Sequence, residues 1–360
     1  MRRSYLDNIR WITVILVSIY HVIYMYNGVQ PFGVIGAFHM PQYQDAYLYF
    51  VYPWFMVLLF TVSGMSSRYY LERHTDKEFI KSRTRKLLVP STIGILVFGW
   101  ILGYFNMGIS HAFDDMPKEI PGLIRYFIMA LSGTGVLWFI QVLWVFVLLL
   151  VLIRKIEKDR LYKFAEKTGV IVLLLFTVLF YLSAQVLNTP MITVYRFGIY
   201  GLAFFVGYFI LSHDTVVERL SRFWLPIGIV AIILGIMYTV LYFGENYAAE
   251  PVINNMPACA YAWVMTLAVL SFMKVHGEVS NPFTKWMSSK SWGLYVFHYL
   301  PIAVCAYYLN LYAQGLPVIL HYLLTLIAAF VGAYLLYEII SRIPVIRWCI
   351  LGMRKEKKDV

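Results

Sequence analysis

The length of the apolar runs limits what this chain can fold into more than any other feature. Stretches such as "WITVILVSIYHVIYMY" (11–26) and "WFIQVLWVFVLLLVLI" (138–153) carry almost no charge, and a bilayer core about 30 Å thick is crossed by about 20 helical residues. Reading the apolar runs between charged or Pro/Gly-rich breaks gives ten spans, near 9–28, 48–70, 88–107, 136–153, 169–187, 196–212, 224–243, 257–274, 291–309 and 318–340. The segment "PGLIRYFIMALSGT" (121–134) is too short and glycine-interrupted to cross, and reads as an interfacial or re-entrant piece. Composition agrees: 61% of residues are hydrophobic and 14% charged, against about 25% charged in a soluble domain. The expected fold is an all-α membrane protein in a multi-pass cytoplasmic membrane location.

The net charge of +11 suggests nucleic acid until the basic residues are placed along the chain. With the N-terminus in the cytoplasm and ten spans, all but Lys118, Arg125 and Arg196 of the 30 Lys and Arg residues fall on the inner side. That is the positive-inside pattern, and an odd number of spans would break it. Both termini are therefore expected inside, and nucleic acid is not expected as a partner. Residues 1–341 form the membrane domain in this reading, 342–360 a basic cytoplasmic tail, with no extramembrane domain. The start "MRRSYLDNIR" resembles a signal peptide but lacks a small-residue cleavage site before the next polar segment, so it is read as retained. Cys259, Cys305 and Cys349 stand in apolar surroundings with no metal spacing and are expected as packed free thiols. No internal repeat marks a transporter-style duplication.

Ionisable residues inside the spans carry the functional signal. Arg10 and His21 are eleven residues apart, which on an α-helix returns to within about 20° of one face and climbs about 16 Å. Asp7 lies one turn below Arg10 on nearly the same side. Arg10 alone also reads as a snorkelling anchor, and His21 as a hydrogen-bonded structural histidine, but intramembrane ionisable groups mark functional sites by default. A near-neutral pKa suits His21 to take a proton from a hydroxyl. In "SKSWGLYVFHYLPIA", His298 follows Tyr295 by one turn and precedes Pro301. It is open whether His298 assists His21, orients it, or satisfies a core hydrogen bond. Ser63 and Gly64 interrupt the second span, for close helix packing or to leave room for a slender substrate. Lys81, Arg83, Arg85 and Lys86 crowd the chain before Pro90, as a positive-inside run or as a phosphate site. The loops 29–46 (Gln30, His39, Gln42, Gln44), 110–119 (His111, Asp114, Asp115) and 244–256 (Glu245, Asn246, Glu250, Asn254, Asn255) are rich in groups that meet a sugar-like acceptor, and read equally as solvated loops.

Taken together these residues resemble acyltransferase family 3, ten-span membrane enzymes that acylate extracytoplasmic or lipid-linked glycans. The resemblance rests on Leu6, Asp7, Arg10 and His21 in the first span, Ser63 and Gly64 in the second, Trp138 and Phe139, and the late Tyr295, His298 and Pro301. The family's basic pair is matched by Arg83 and Lys86, where Lys replaces the usual Arg, with Arg85 beside it. The end "YEIISRIPVIRWCILGMRK" is similar to the glucan succinyltransferase branch. The resemblance implies acetyl-CoA or another short acyl-CoA as donor, with no metal. Arg10, Arg83, Arg85 and Lys86 would hold its phosphates, His21 would act as general base, and His298 or a hydroxyl would steady the oxyanion. Asp7, Ser63 and Tyr295 would support them. The acceptor would be a glycan or glycolipid hydroxyl, membrane lipid a partner, and a homodimer the assembly. Larger relatives carry an added SGNH hydrolase-like domain, and none is seen here. From another class, a proton-coupled transporter using Asp7, Arg10 and His21 as a relay remains a rival, and a sensor or scaffold gives His21 no special part.

Overall fold

The computed structural model describes residues 3–30, 32–114, 116–117, 119–189 and 194–354. Arg2, Asp115, Lys118 and the end of the basic tail, 355–360, lie outside the described residues. The described chain is helical: α1 (Ser4–Met25), α2 (Ala46–Leu71), α3 (Asp76–Ile109), α4 (Gly122–Ser132), α5 (Trp138–Glu157), α6 (Arg160–Ala165), α7 (Val170–Ser183), α8 (Phe197–Leu211), α9 (Asp214–Ser221), α10 (Trp224–Tyr242), α11 (Glu250–Ile253), α12 (Met256–His276), α13 (Pro282–Phe297), α14 (Tyr299–Tyr312), α15 (Val318–Arg342) and α16 (Pro344–Leu351).

Among the described residues, seven helices are long and apolar enough to cross a membrane, or nine if each of two bent pairs counts as one span. The pairs are α8 with α9, bent by 98°, and α13 with α14, bent by 51°. The difference from ten lies at 169–187, where α7 has 14 residues and a length of about 21 Å, short of a full crossing. Segment 121–134 is a real helix, α4, of 11 residues. The chain is a multi-pass membrane protein.

The described residues fall into two compact units. The first comprises Met1–Val17, Ala46–Ile80 and Val145–Ser289. Helices α2 and α8 meet there almost backbone to backbone. A Cβ on Gly64 would lie 1.9 Å from the carbonyl oxygen of Phe204, and one on Gly207 would lie 2.1 Å from that of Thr61. Each helix therefore presents a glycine to the other's carbonyl, the small-residue packing that lipid-embedded helices use in place of a hydrophobic drive. Trp263 on α12 is fully buried, stacks on Phe180 of α7 at 4.1 Å and donates to the Leu173 carbonyl. At the end of α2, Arg68 bonds Asp159 at 2.7 Å and lies 3.5 Å over the Tyr162 ring, tying α2 to the turn before α6.

The second unit comprises Ser18–Asp45, Lys81–Trp144 and Lys290–Val360. Here α4 packs on α3 through glycines: a Cβ on Gly103 would meet the Met129 carbonyl oxygen at 1.7 Å, and one on Gly133 that of Gly99 at 1.8 Å. The start of the expected tail is an ordered helix. Cys349, Ile350 and Leu351 of α16 are buried, and the Leu351 carbonyl accepts from Trp292 at 3.1 Å. The break between α13 and α14 follows from Pro301. Proline has no amide hydrogen for the carbonyl four residues back, at Phe297, and its ring crowds that oxygen. The bend duly falls at His298.

Because Gly64 has no space for a methyl, Gly64→Ala should cost about 1–3 kcal/mol of stability, read as a lower melting temperature of the detergent-solubilised protein. Ser63→Ala should melt close to wild type. If Ser63→Ala proved the more damaging of the two, the packing role would belong to the serine.

Candidate functional site

The centre of the second unit's chemistry is a pair of imidazoles. His21 stands on α1 and His298, only 1% exposed, at the α13–α14 break. Their rings are 5.0 Å apart, and His298 Nε2 lies 3.1 Å from His21 Nδ1. The other nitrogen of His298, Nδ1, lies 3.0 Å from the Leu294 carbonyl oxygen and 2.9 Å from that of Tyr295. Carbonyl oxygens only accept, so Nδ1 of His298 carries the proton. In a neutral pair its Nε2 is then the bare nitrogen and accepts from His21 Nδ1–H, which leaves the His21 lone pair on Nε2. Helix geometry, through two backbone carbonyls, thus fixes the tautomers of both rings. Tyr20 and Tyr299 each set a ring edge-on to His21, at 5.0 Å.

Tyr295 supports this break from beneath. Its buried phenol donates to the Val136 carbonyl, and its ring meets Phe139 at 6.0 Å and Trp292 at 5.8 Å. Phe139 and Tyr295, from two separate sequence motifs, are in this way one packed cluster.

The basic residues before Pro90 occupy a widened turn. Thr84–Leu88 is a π-helical turn inside α3, a feature common at functional sites. Trp144 holds it by donating to Thr84 Oγ1 at 3.2 Å. Arg83 precedes the turn and Lys86 lies within it, with Arg83 half-buried and Lys86 exposed. Arg85 instead donates from Nε to the Gly352 carbonyl at 3.1 Å. Gly352 is required there: its φ is +62°, and a Cβ would lie 2.2 Å from the Arg85 carbonyl oxygen.

In the first unit, Arg10 Nη1 bonds Asp7 at 2.8 Å, and Nη2 donates to Ser66 Oγ. The Ser66 hydroxyl gives its own hydrogen to the Val62 carbonyl at 2.6 Å, so it meets Arg10 as an acceptor. Ser63 is beside the Gly64 contact, and its carbonyl accepts from Ser67 at 2.8 Å. The structure so brings together His21 with His298 and Asp7 with Arg10. It sets Arg83, Arg85 and Lys86 on one turn, and leaves Ser63 in a packing seam.

Sequence reasoning passed over Ser66, Tyr299 and the carbonyls of Leu294 and Val136. Tyr299 adjoins His298 and Ser66 adjoins the Ser-Gly motif, which are the only signals the sequence offers for them. Of the polar loop residues, several serve the protein itself. Gln42 and Asp45 are buried and bonded to each other at 2.9 Å, with Asp45 also accepting from the Gly28 amide. Asn254 accepts from buried Arg196 at 3.0 Å. His111 and Asp114 form an exposed pair. Among the described residues no group of three His, Cys, Asp or Glu side chains is placed to hold a metal.

These features define a helical, multi-pass membrane protein with paired imidazoles at a broken span. The family model described as an acyltransferase domain matches residues 3–338, nearly the whole chain, and the protein belongs to acyltransferase family 3. It is therefore an acyltransferase, with an acyl donor and an acceptor as substrates. Comparison with curated proteins and with solved structures gave no match.

Tyr295→Phe would leave the buried Val136 carbonyl without its donor, a loss of about 1–3 kcal/mol. A melting temperature equal to that of wild type would show that the phenol does not hold the break.

Proposed function

We propose that this protein moves a short acyl group from cytoplasmic acyl-CoA, acetyl-CoA foremost, to a hydroxyl of a glycan, glycolipid or exopolysaccharide at or across the cytoplasmic membrane. The observation that carries the reading is the His298 Nε2···His21 Nδ1 hydrogen bond of 3.1 Å, which aims the lone pair of His21 at its opposite nitrogen.

In this reading His21 Nε2 takes the proton of the acceptor hydroxyl as that oxygen attacks the thioester carbonyl. The new C–O bond forms and the carbonyl pair moves onto oxygen. Collapse of the tetrahedral intermediate breaks the C–S bond, and the proton on His21 Nε2 passes to the departing CoA sulfur. His298 accepts from His21 Nδ1–H throughout and steadies the imidazolium as it forms. Its own Nδ1–H is committed to backbone, so His298 serves as a positioning residue, and oxyanion stabilisation falls to a hydroxyl donor. Arg10, Arg83 and Lys86 take the anionic head of the donor, with Arg85 divided between that task and the Gly352 carbonyl. Arg10 and His21 lie on one unbroken helix, about 16 Å apart along it, a span suited to a donor whose phosphates stay at the membrane edge while its thioester lies deeper. Asp7 and Ser66 hold the Arg10 guanidinium in place, and Ser63 precedes the Gly64 contact. The transporter alternative has no comparable support.

His21→Ala should reduce acyl transfer about 10²–10⁴-fold while acyl-CoA still binds; undiminished turnover would remove His21 as the base. For His298, Gln keeps an acceptor near the old Nε2 position and Leu does not. His298→Leu should therefore lower kcat much more than His298→Gln, with KM for acyl-CoA nearly constant. Equal losses in the two variants would make His298 merely structural. Arg10→Ala should raise KM for acyl-CoA about tenfold, the worth of one charge-assisted hydrogen bond, measured at low salt, and an unchanged KM would release Arg10 from the donor site.

A further inference from the structure

The second unit contains a small cavity that shares the Tyr299 ring with the surroundings of His21. It measures about 30 Å³ and is walled by Gly99, Gly133, Leu102, Val136, Tyr299 and Leu300, among other residues. Two of its walls belong to the pair's own surroundings. The Tyr299 ring stands edge-on to His21 at 5.0 Å, and the Val136 carbonyl receives the Tyr295 phenol. The glycines that line it are held open by contact rather than by chance. A Cβ on Gly133 would strike the Gly99 carbonyl oxygen at 1.8 Å, so this wall has no room for a side chain of its own.

From this geometry we infer that the cavity receives the acyl group of the donor and selects for a small, uncharged one: acetyl, with propionyl next, against butyryl and succinyl. The inference rests on the acyl-transfer reading given above and specifies its donor. Size is the first argument. A water needs about 10–15 Å³ of such space, so about 30 Å³ takes roughly two or three non-hydrogen atoms, the number in an acetyl group. Charge is the second. The lining holds no charged side chain; its hydroxyls are those of Thr134, which donates to the Leu131 carbonyl at 2.8 Å, and Tyr299. A succinyl carboxylate placed here would lose its water and gain no cation, a cost far beyond that of a methyl group.

Rigidity is the third argument. Leu102, Val136 and Leu300 are 7–8% exposed, and packed interiors yield little to an extra methylene. One methylene in an apolar pocket changes specificity by about 10–200-fold, which sets the expected scale of discrimination. The likeness of the chain's end to a succinyltransferase branch does not bear on this pocket, because of that segment only Ile350 lines it.

The test uses the full chain in native membranes, which bring their own acceptors, from cells with and without the gene. Release of CoA thiol is followed with acetyl-, propionyl-, butyryl- and succinyl-CoA. Acetyl-CoA should lead, with butyryl- and succinyl-CoA lower in kcat/KM by about tenfold or more. Leu102→Ala and, separately, Leu300→Ala should enlarge the cavity and raise the butyryl-to-acetyl ratio of kcat/KM about tenfold or more, with succinyl-CoA still poor. Two results overturn the inference while leaving acyl transfer standing: succinyl-CoA used as well as acetyl-CoA, or chain-length ratios unmoved in both variants although each still turns over acetyl-CoA. If both lose acetyl turnover, the smaller Val296→Ala change, at another residue of the cavity wall, replaces them, and an unmoved ratio there overturns the inference equally. Gene-dependent turnover of none of the four donors removes the acyl-transfer reading itself and this assignment with it.

Discussion

Pro301 takes one amide hydrogen out of a helix that, at membrane depth, has no water to replace it. An uninterrupted span would satisfy every backbone group internally. Breaking the helix at His298, by 51°, relaxes that closure over one turn. The carbonyls of Leu294 and Tyr295 sit against His298 Nδ1, and the ring is thereby fixed in orientation and in tautomer. The proton pattern of His21 follows from that of His298. Pro301 thus bends the helix at His298, and the Leu294 and Tyr295 carbonyls set the polarity of the imidazole pair.

The helices within each unit are held by contacts of the same two kinds. Bilayer-embedded helices gain little from hydrophobic burial against one another, so the contacts that fix them must be steric and polar. Glycine-to-carbonyl seams do the first, at α2 with α8 in one unit and α3 with α4 in the other. Side-chain bonds to backbone oxygens do the second: Trp263 to Leu173, Trp292 to Leu351, Tyr295 to Val136 and Arg85 to Gly352. Each puts a donor at a carbonyl, and those of Leu351 and Gly352 lie at the end of α16, where oxygens lack an intrahelical partner. The same seam that joins α3 to α4 also leaves the space beside Tyr299, so packing and cavity have one cause.

The apolar runs located the helices in the sequence, because length and hydropathy are properties of one segment at a time. The spacing of Asp7, Arg10 and His21 was legible for the same reason, since all three ride on one helix. Pro301 pointed to a bend, and its position gave the break within a few residues. What a single sequence could not show was pairing between distant segments. Ser66 meeting Arg10, Val136 receiving Tyr295 and the docking of α16 each depend on an approach of two helices that no local pattern encodes. Ser63 and Gly64 show the limit well: their small size announced a close contact or a vacancy, and only the position of the Phe204 carbonyl decides for contact. The stretch 169–187 shows the reverse case, where apolar composition suggested a span and the helix formed, Val170–Ser183, is too short for a full one.

The basic turn before Pro90 joins these lines of argument. Arg83, Arg85 and Lys86 lie in or beside a π-helical turn, so their spacing departs from that of a regular helix, and one of the three is drawn to the Gly352 carbonyl. A run of cations with only an orienting function would gain nothing from being held in a widened turn and tethered by Trp144 to Thr84, because the positive-inside effect depends on number and side, not geometry. Gripping a phosphate does depend on geometry, since a charge-assisted hydrogen bond loses its worth as its direction is lost. The ordering of this turn therefore favours a bound anion over a mere topological signal, and in the reading proposed above the phosphates of the acyl donor would be that anion.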